Sequence, residues 1–223
     1  MRLHARPSRR IPQGLRAVLY GFILLGGVNL ITEGACSRAV AMDATQLRPP
    51  VEFSALLKWR TGGKMSTAQL FVKGDRYRIE HFGGIKTDLG YAGVTIVRLD
   101  QQKVWYILSE RRVVISVPLT VDYLLPLSVR LEGEQKRTLI GDALVGERAA
   151  QLYEVVVHQG GREETFYEWV DAQHHTLLKL VSQDRDWSVE YDHVVYSPQP
   201  DYFFETPLGY QKFETVERQA EAG

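Results

Sequence analysis

Between Phe53 and Val195 apolar residues return at every second position, in runs of six to ten residues separated by short turns. That period belongs to strands with one dry face. "FSALLKWR" (53–60) puts Phe53, Ala55, Leu57 and Trp59 on one side, and Gly62-Gly63 then turns the chain into "MSTAQLFV" (65–72). Two strands around a Gly-Gly loop predict a hairpin. Gly74-Asp75 leads into "RYRIEH" (76–81), where Tyr77, Ile79 and His81 oppose Arg76, Arg78 and Glu80. The segment "FGGIKTDLGYAG" (82–93) holds four glycines and no apolar repeat, and reads as a loop. A meander follows in "VTIVRL" (94–99), "KVWYILS" (103–109) and "RVVISV" (112–117). Its middle strand is apolar on both sides, Trp105 and Ile107 against Val104, Tyr106 and Leu108, so both sides need a cover.

"PLTVDYLLPLSV" (118–129) is the one apolar segment of the body without a strand period, and Pro118 and Pro126 limit it to a short helix or an apolar flap. Strands resume with 135–141, 148–157, 162–170, 176–184 and 186–195. The total is about eleven, with neither β-α alternation nor an internal repeat. The expected fold is mainly β, a single curved antiparallel sheet.

The first 41 residues differ from the rest. They hold six arginines and one acid, Glu33, which leaves 21 basic and 26 acidic residues, a charge of −5, for the remainder of the chain. A body of that sign lacks the cationic surface that nucleic-acid binding needs. Behind the basic start, Ala17 to Ile31 is free of charge and shorter than the roughly 20 residues of a membrane span, as in an export signal. Ala39-Val40-Ala41 offers a signal-peptidase site, while Gly34-Ala35-Cys36 resembles the end of a lipoprotein box whose cysteine is acylated. Cleavage after Ala41, lipidation of Cys36 and a retained anchor stay open as alternatives. Residues 1–41 are thus leader or anchor, 42–51 a tether, 52–213 one domain and 214–223 a flexible tail. Without Cys36, the chain's single cysteine, stability has to come from a packed core.

Catalytic chemistry finds little support. His174-His175 follows Asp171, but no second cluster accompanies them, and neighbouring histidines on a strand point apart. Ser66, Ser109, Ser116 and Ser182 lack a nucleophile-elbow context, and Gly83-Gly84 does not continue into a phosphate loop. The expectation is no enzyme, no metal and no cofactor.

Four stretches, "GDRYRIE" (74–80), "VRLDQQKVWYIL" (97–108), "YEWVDAQHHTLLKLV" (167–181) and "FFETPLGYQKF" (203–213), resemble the bacterial outer-membrane lipoprotein sorting proteins (LolA/LolB-like) and a related group of periplasmic domains. The resemblance spans residues 52–213 and implies a half-barrel over an apolar cavity, with a short helical or looped lid. It also implies a non-enzymatic carrier or binding protein for lipid or the acyl chains of a lipoprotein. The export signal makes the expected location the periplasm, or the outer membrane if Cys36 is lipidated. The alternative is an envelope sensor or scaffold that uses the same fold to bind a partner, such as an envelope membrane protein. From pattern alone Phe53, Leu57, Trp59, Tyr77, Ile79, Trp105, Ile107, Ile115, Tyr153, Tyr167, Trp169, Trp187 and Tyr191 belong to an ordinary closed core; the resemblance makes them the ligand-binding wall of the cavity. Leu119, Tyr123, Leu124 and Leu125 then form the lid. In the family an arginine holds the lid shut, and Arg60, Arg76, Arg78 and Arg98 are its candidates here. The closing stretch is expected to clasp the sheet, with Phe203 and Phe204 sealing its edge and Pro207 ending the strand.

Overall fold

The computed structural model describes residues 52–214. The leader with Cys36, the tether and all but the first residue of the tail lie outside the described residues. Within them, β1 (Phe53–Thr61), β2 (Lys64–Lys73), β3 (Arg76–Thr87), β4 (Gly90–Arg98), β5 (Lys103–Leu108) and β6 (Val113–Pro118) form an antiparallel meander. A second meander contains β7 (Glu134–Val145), β8 (Arg148–Gln159), β9 (Arg162–Asp171), β10 (Leu177–Ser182) and β11 (Trp187–Tyr196). β11 returns to pair with β1, joining the two into one open, curved sheet. A twelfth strand, β12 (Gln211–Glu214), runs parallel to β6 at the far edge. The order is β12-β6-β5-β4-β3-β2-β1-β11-β10-β9-β8-β7.

That order fixes the path of the apolar segment. β6 lies next to one edge of the sheet and β7 is the other edge, so residues 119–133 must cross the whole sheet. They do so as an extended chain with a single 3₁₀ turn, Val121–Tyr123, and no α-helix. Leu119, Tyr123, Leu125, Leu127, Val129 and Leu131 pack on the main core, and Val121, at the remaining alternate position, is also buried. The segment therefore keeps a strand-like period of two without joining the sheet.

Three local expectations change. Residues 82–93 are a hairpin instead of a loop: past a bulge between Glu80 and Ile85 the ladder resumes as Ile85 with Ala92 and Thr87 with Gly90. Backbone pairing carries it where the apolar repeat lapses, and Ala92 is buried beside Leu108 and Val113. The second change is β12, too short and polar to announce itself. In the third, Phe204 seals no edge: it is fully buried against Ile96, Trp105, Ile107 and Val114 on the convex face. Phe203 meets Phe71 edge-on at 4.9 Å, and Arg98 donates to the Phe204 carbonyl at 3.2 Å. The clasp is thus the second cover that the doubly apolar β5 required.

Candidate functional site

On the concave face, paired positions form continuous rows across the ladders. Trp59 sits beside Val189, Val189 beside Leu180, and Leu180 beside Glu168; on the other side Leu70 pairs Ile79, Ile79 pairs Thr95, and Thr95 pairs Tyr106. Between these rows and the crossing segment lies a cavity of about 350 Å³. Leu57, Trp59, Ile79, Val97, Phe166, Leu180, Trp187 and Val189 form its apolar wall, and Tyr123, Leu124, Leu125 and Pro126 its roof. Thr61, His81, Ile85, Thr95, Tyr106 and Asp122 complete the lining.

Of the residues expected on the ligand wall, Leu57, Trp59, Ile79 and Trp187 line this space. Phe53, Tyr77 and Tyr191 are buried in the same core beside it, Tyr153 is half-buried against that core, and Ile115 packs near the β6 edge. Trp105 and Ile107 are on the convex face under Phe204, and the concave position of β5 belongs to Tyr106. Trp169 is also turned away, paired with Lys179, whose amine lies 5.4 Å from the indole centre. Tyr167 shares that outward phase, while Phe166, Glu168 and Val170 point inward. Of the residues assigned to the roof, Leu119 packs on the core outside the cavity lining, while Tyr123, Leu124 and Leu125 line it.

Buried polar groups fasten the crossing segment through its backbone. The Tyr77 hydroxyl donates to the Tyr123 carbonyl and accepts from the Leu125 N–H at 3.3 Å. The Tyr191 hydroxyl donates to the Pro126 carbonyl at 2.7 Å. Burial pushes both phenols above their ordinary range, which keeps them protonated as donors. Arg137 donates to the Val129 carbonyl at 2.5 Å and to Glu134 at 2.9 Å, and also pairs with Glu168. None of the four arginines proposed from sequence does this. Arg76, Arg78 and Arg98 lie against Phe204, Phe203 and Trp105 on the convex side, and Arg60 is exposed.

Glu168 is fully buried, and its Oε1 has no hydrogen-bond partner among the described residues. Burial outweighs the attraction of Arg137 and raises its pKa to about 7. The folded protein thus holds a proton that the unfolded chain releases near 4.5. The stability linked to this group is complete below about pH 4.5 and is lost as pH rises through about 7. We expect the unfolding midpoint of the wild type to fall between those limits more steeply than that of Glu168→Gln, measured by urea titration across pH; parallel profiles would contradict the assignment.

Asp171, the acid ahead of His174-His175, serves a turn: its Oδ1 accepts from the Gln173 and His174 N–H groups at 2.8 and 2.7 Å, and its Oδ2 meets Arg148 and Tyr196. His174 stacks on Tyr196 at 3.7 Å. Arg137, Glu168 and Phe166 are not predicted from sequence, and His81, placed by its alternation on the same face as Tyr77 and Ile79, is not predicted as a site residue. The spacing Phe166, Glu168, Val170 carried a signal, but an acid in the middle of it looks outward-facing.

Among solved structures, a crystal structure of MucB superposes with a TM-score of 0.51 at 16% identity, covering 75% of this chain and 62% of MucB. The fold is LolA-like. This LolA-like chain spans about three fifths of the length of MucB. A LolA superfamily protein from Nitrosomonas europaea gives 0.33 at 11% identity, covering 73% of this chain and 94% of that one. LprF from Mycobacterium bovis gives 0.41 at 11% identity, covering 85% and 96%. No family model and no curated protein matches the sequence.

Proposed function

We propose that this is a non-enzymatic carrier or binding protein of the bacterial envelope, which takes an apolar chain of a lipid or lipoprotein into the concavity beneath residues 118–129. The observation that carries the reading is the cavity itself, apolar and roofed by a segment that belongs to no sheet. Its roof is held by hydrogen bonds from Tyr77, Tyr191 and Arg137 and by apolar contacts such as those of Tyr123 and Leu125, with no ladder to a neighbouring strand, so it can lift while the strands stay paired. The LolA-like fold supports the same reading. Export by the N-terminal signal belongs to it.

Extraction of the purified protein into organic solvent, followed by mass spectrometry, is expected to find bound lipid. The same instrument reads the mature N-terminus and so separates cleavage after Ala41 from an acylated Cys36 or a retained anchor. Replacing Leu124 and Leu125 together by serine removes apolar side chains worth up to about 1.5–3 kcal/mol each when fully buried. If they form a roof, the sheet stays folded and uptake of a fluorescent acyl probe changes several-fold. Cooperative loss of stability with unaltered binding per folded molecule would sink the carrier reading.

A second reading, a sensor or scaffold that binds a partner protein, has its own observation. β7 is a twelve-residue edge strand whose Leu139, Ile140 and Leu144 are 53%, 53% and 68% exposed. Long apolar edges offer unpaired backbone groups to another chain. Co-purification of a membrane protein that is lost with Ile140→Lys would favour it.

A further inference from the structure

The chemistry of the lining narrows the ligand beyond an apolar chain. None of the eighteen lining residues is Lys or Arg, and the single formal charge is the carboxylate of Asp122, which is exposed. Arg137, also on the concave side, does not line the cavity and is committed to Glu134, Glu168 and the Val129 carbonyl. An anionic head would therefore find a like charge and no counter-charge, and burying it unpaired is costly.

An uncharged head does find partners. His81 and Thr95 lie side by side on the wall, Nε2 to Oγ1 at 2.9 Å. Burial lowers the His81 pKa to about 4, so at neutral pH the imidazole is a hydrogen-bonding group without charge. Size adds a second limit. A cavity of about 350 Å³ lies at the small end of ligand pockets, roughly 300–1,000 Å³, a size that favours one chain over two.

We propose that the roofed cavity selects a single apolar chain with an uncharged, hydrogen-bonding head, as in a monoacylglycerol, over a fatty-acid carboxylate or a two-chain lipid. The selectivity rests on the reading of the cavity as a ligand site.

The test uses the full chain and a fluorescent monoacylglycerol analogue, followed by energy transfer from Trp59 and Trp187. Monolaurin, laurate and dilaurin then compete with it at about pH 8, where laurate is ionised. Monolaurin is expected to displace the probe about tenfold more tightly than laurate, and more tightly than dilaurin. Asp122→Lys, at an exposed position, should narrow or reverse the preference over laurate. If laurate or dilaurin binds the wild type as tightly as monolaurin or more tightly, or if Asp122→Lys leaves the ratio unchanged, the selectivity is overturned while the cavity remains a ligand site. If the analogue itself fails to bind, the ligand-site reading falls, and the selectivity with it.

Discussion

Replacing Arg137 by alanine is expected to destabilise the protein by about 3–5 kcal/mol at pH 8, the range for breaking one half of a buried ion pair. Glu168, without exposure and already short of one hydrogen bond, would lose its counter-charge, and the Val129 carbonyl its donor. The guanidinium also stacks over Tyr153 at 5.1 Å, contact area that alanine cannot replace. The cost should shrink toward pH 5, because Glu168 is then protonated with or without its partner. Adding Glu168→Gln to the variant should recover much of the loss, since the uncompensated charge causes most of it. Urea unfolding of the three proteins at both pH values checks this. A pH-independent cost, unrelieved in the double variant, would mean that the damage is packing alone.

Phe204→Ala is the other large effect, about 3–5 kcal/mol as for other buried aromatics cut to alanine. The ring has no exposure and fills the convex cluster with Ile96, Trp105, Ile107 and Val114. Its removal also loosens the turn through which Arg98 holds the Phe204 carbonyl and Glu205, the latter at 2.9 Å. Because that cluster lies on the opposite face from the cavity, probe affinity per folded molecule should not change. Equilibrium unfolding and probe titration on one sample measure both; a large affinity change would show that the two faces are coupled.

The strands were legible because turns interrupt a period of two, which few other structures produce. Which side of a strand faces in was legible only where one side was polar. In β1, Leu57 and Trp59 alternate with Lys58 and Arg60, and the assignment fits the cavity. In β5 both sides are apolar, and Trp105 outweighed Tyr106 by size although the clasp, far along the chain, covers the tryptophan. In β9 the buried Glu168 reversed the apparent phase, since a charge inside depends on a partner that only the fold supplies. The return of β11 to β1, and hence the path of residues 119–133, is a non-local pairing that no local pattern encodes.

That path gives the molecule the mechanics of a strung bow. The string leaves one limb after β6, is knotted midway to Tyr77 of the first limb and Tyr191 of the second, and reaches the other tip at Arg137 on β7. A string fastened to both limbs helps to set how far they bend. Anything that wedges beneath it pulls on the β7 tip as well as on the roof, so a filled cavity and the posture of the outermost strand are expected to be felt by one another across the width of the sheet.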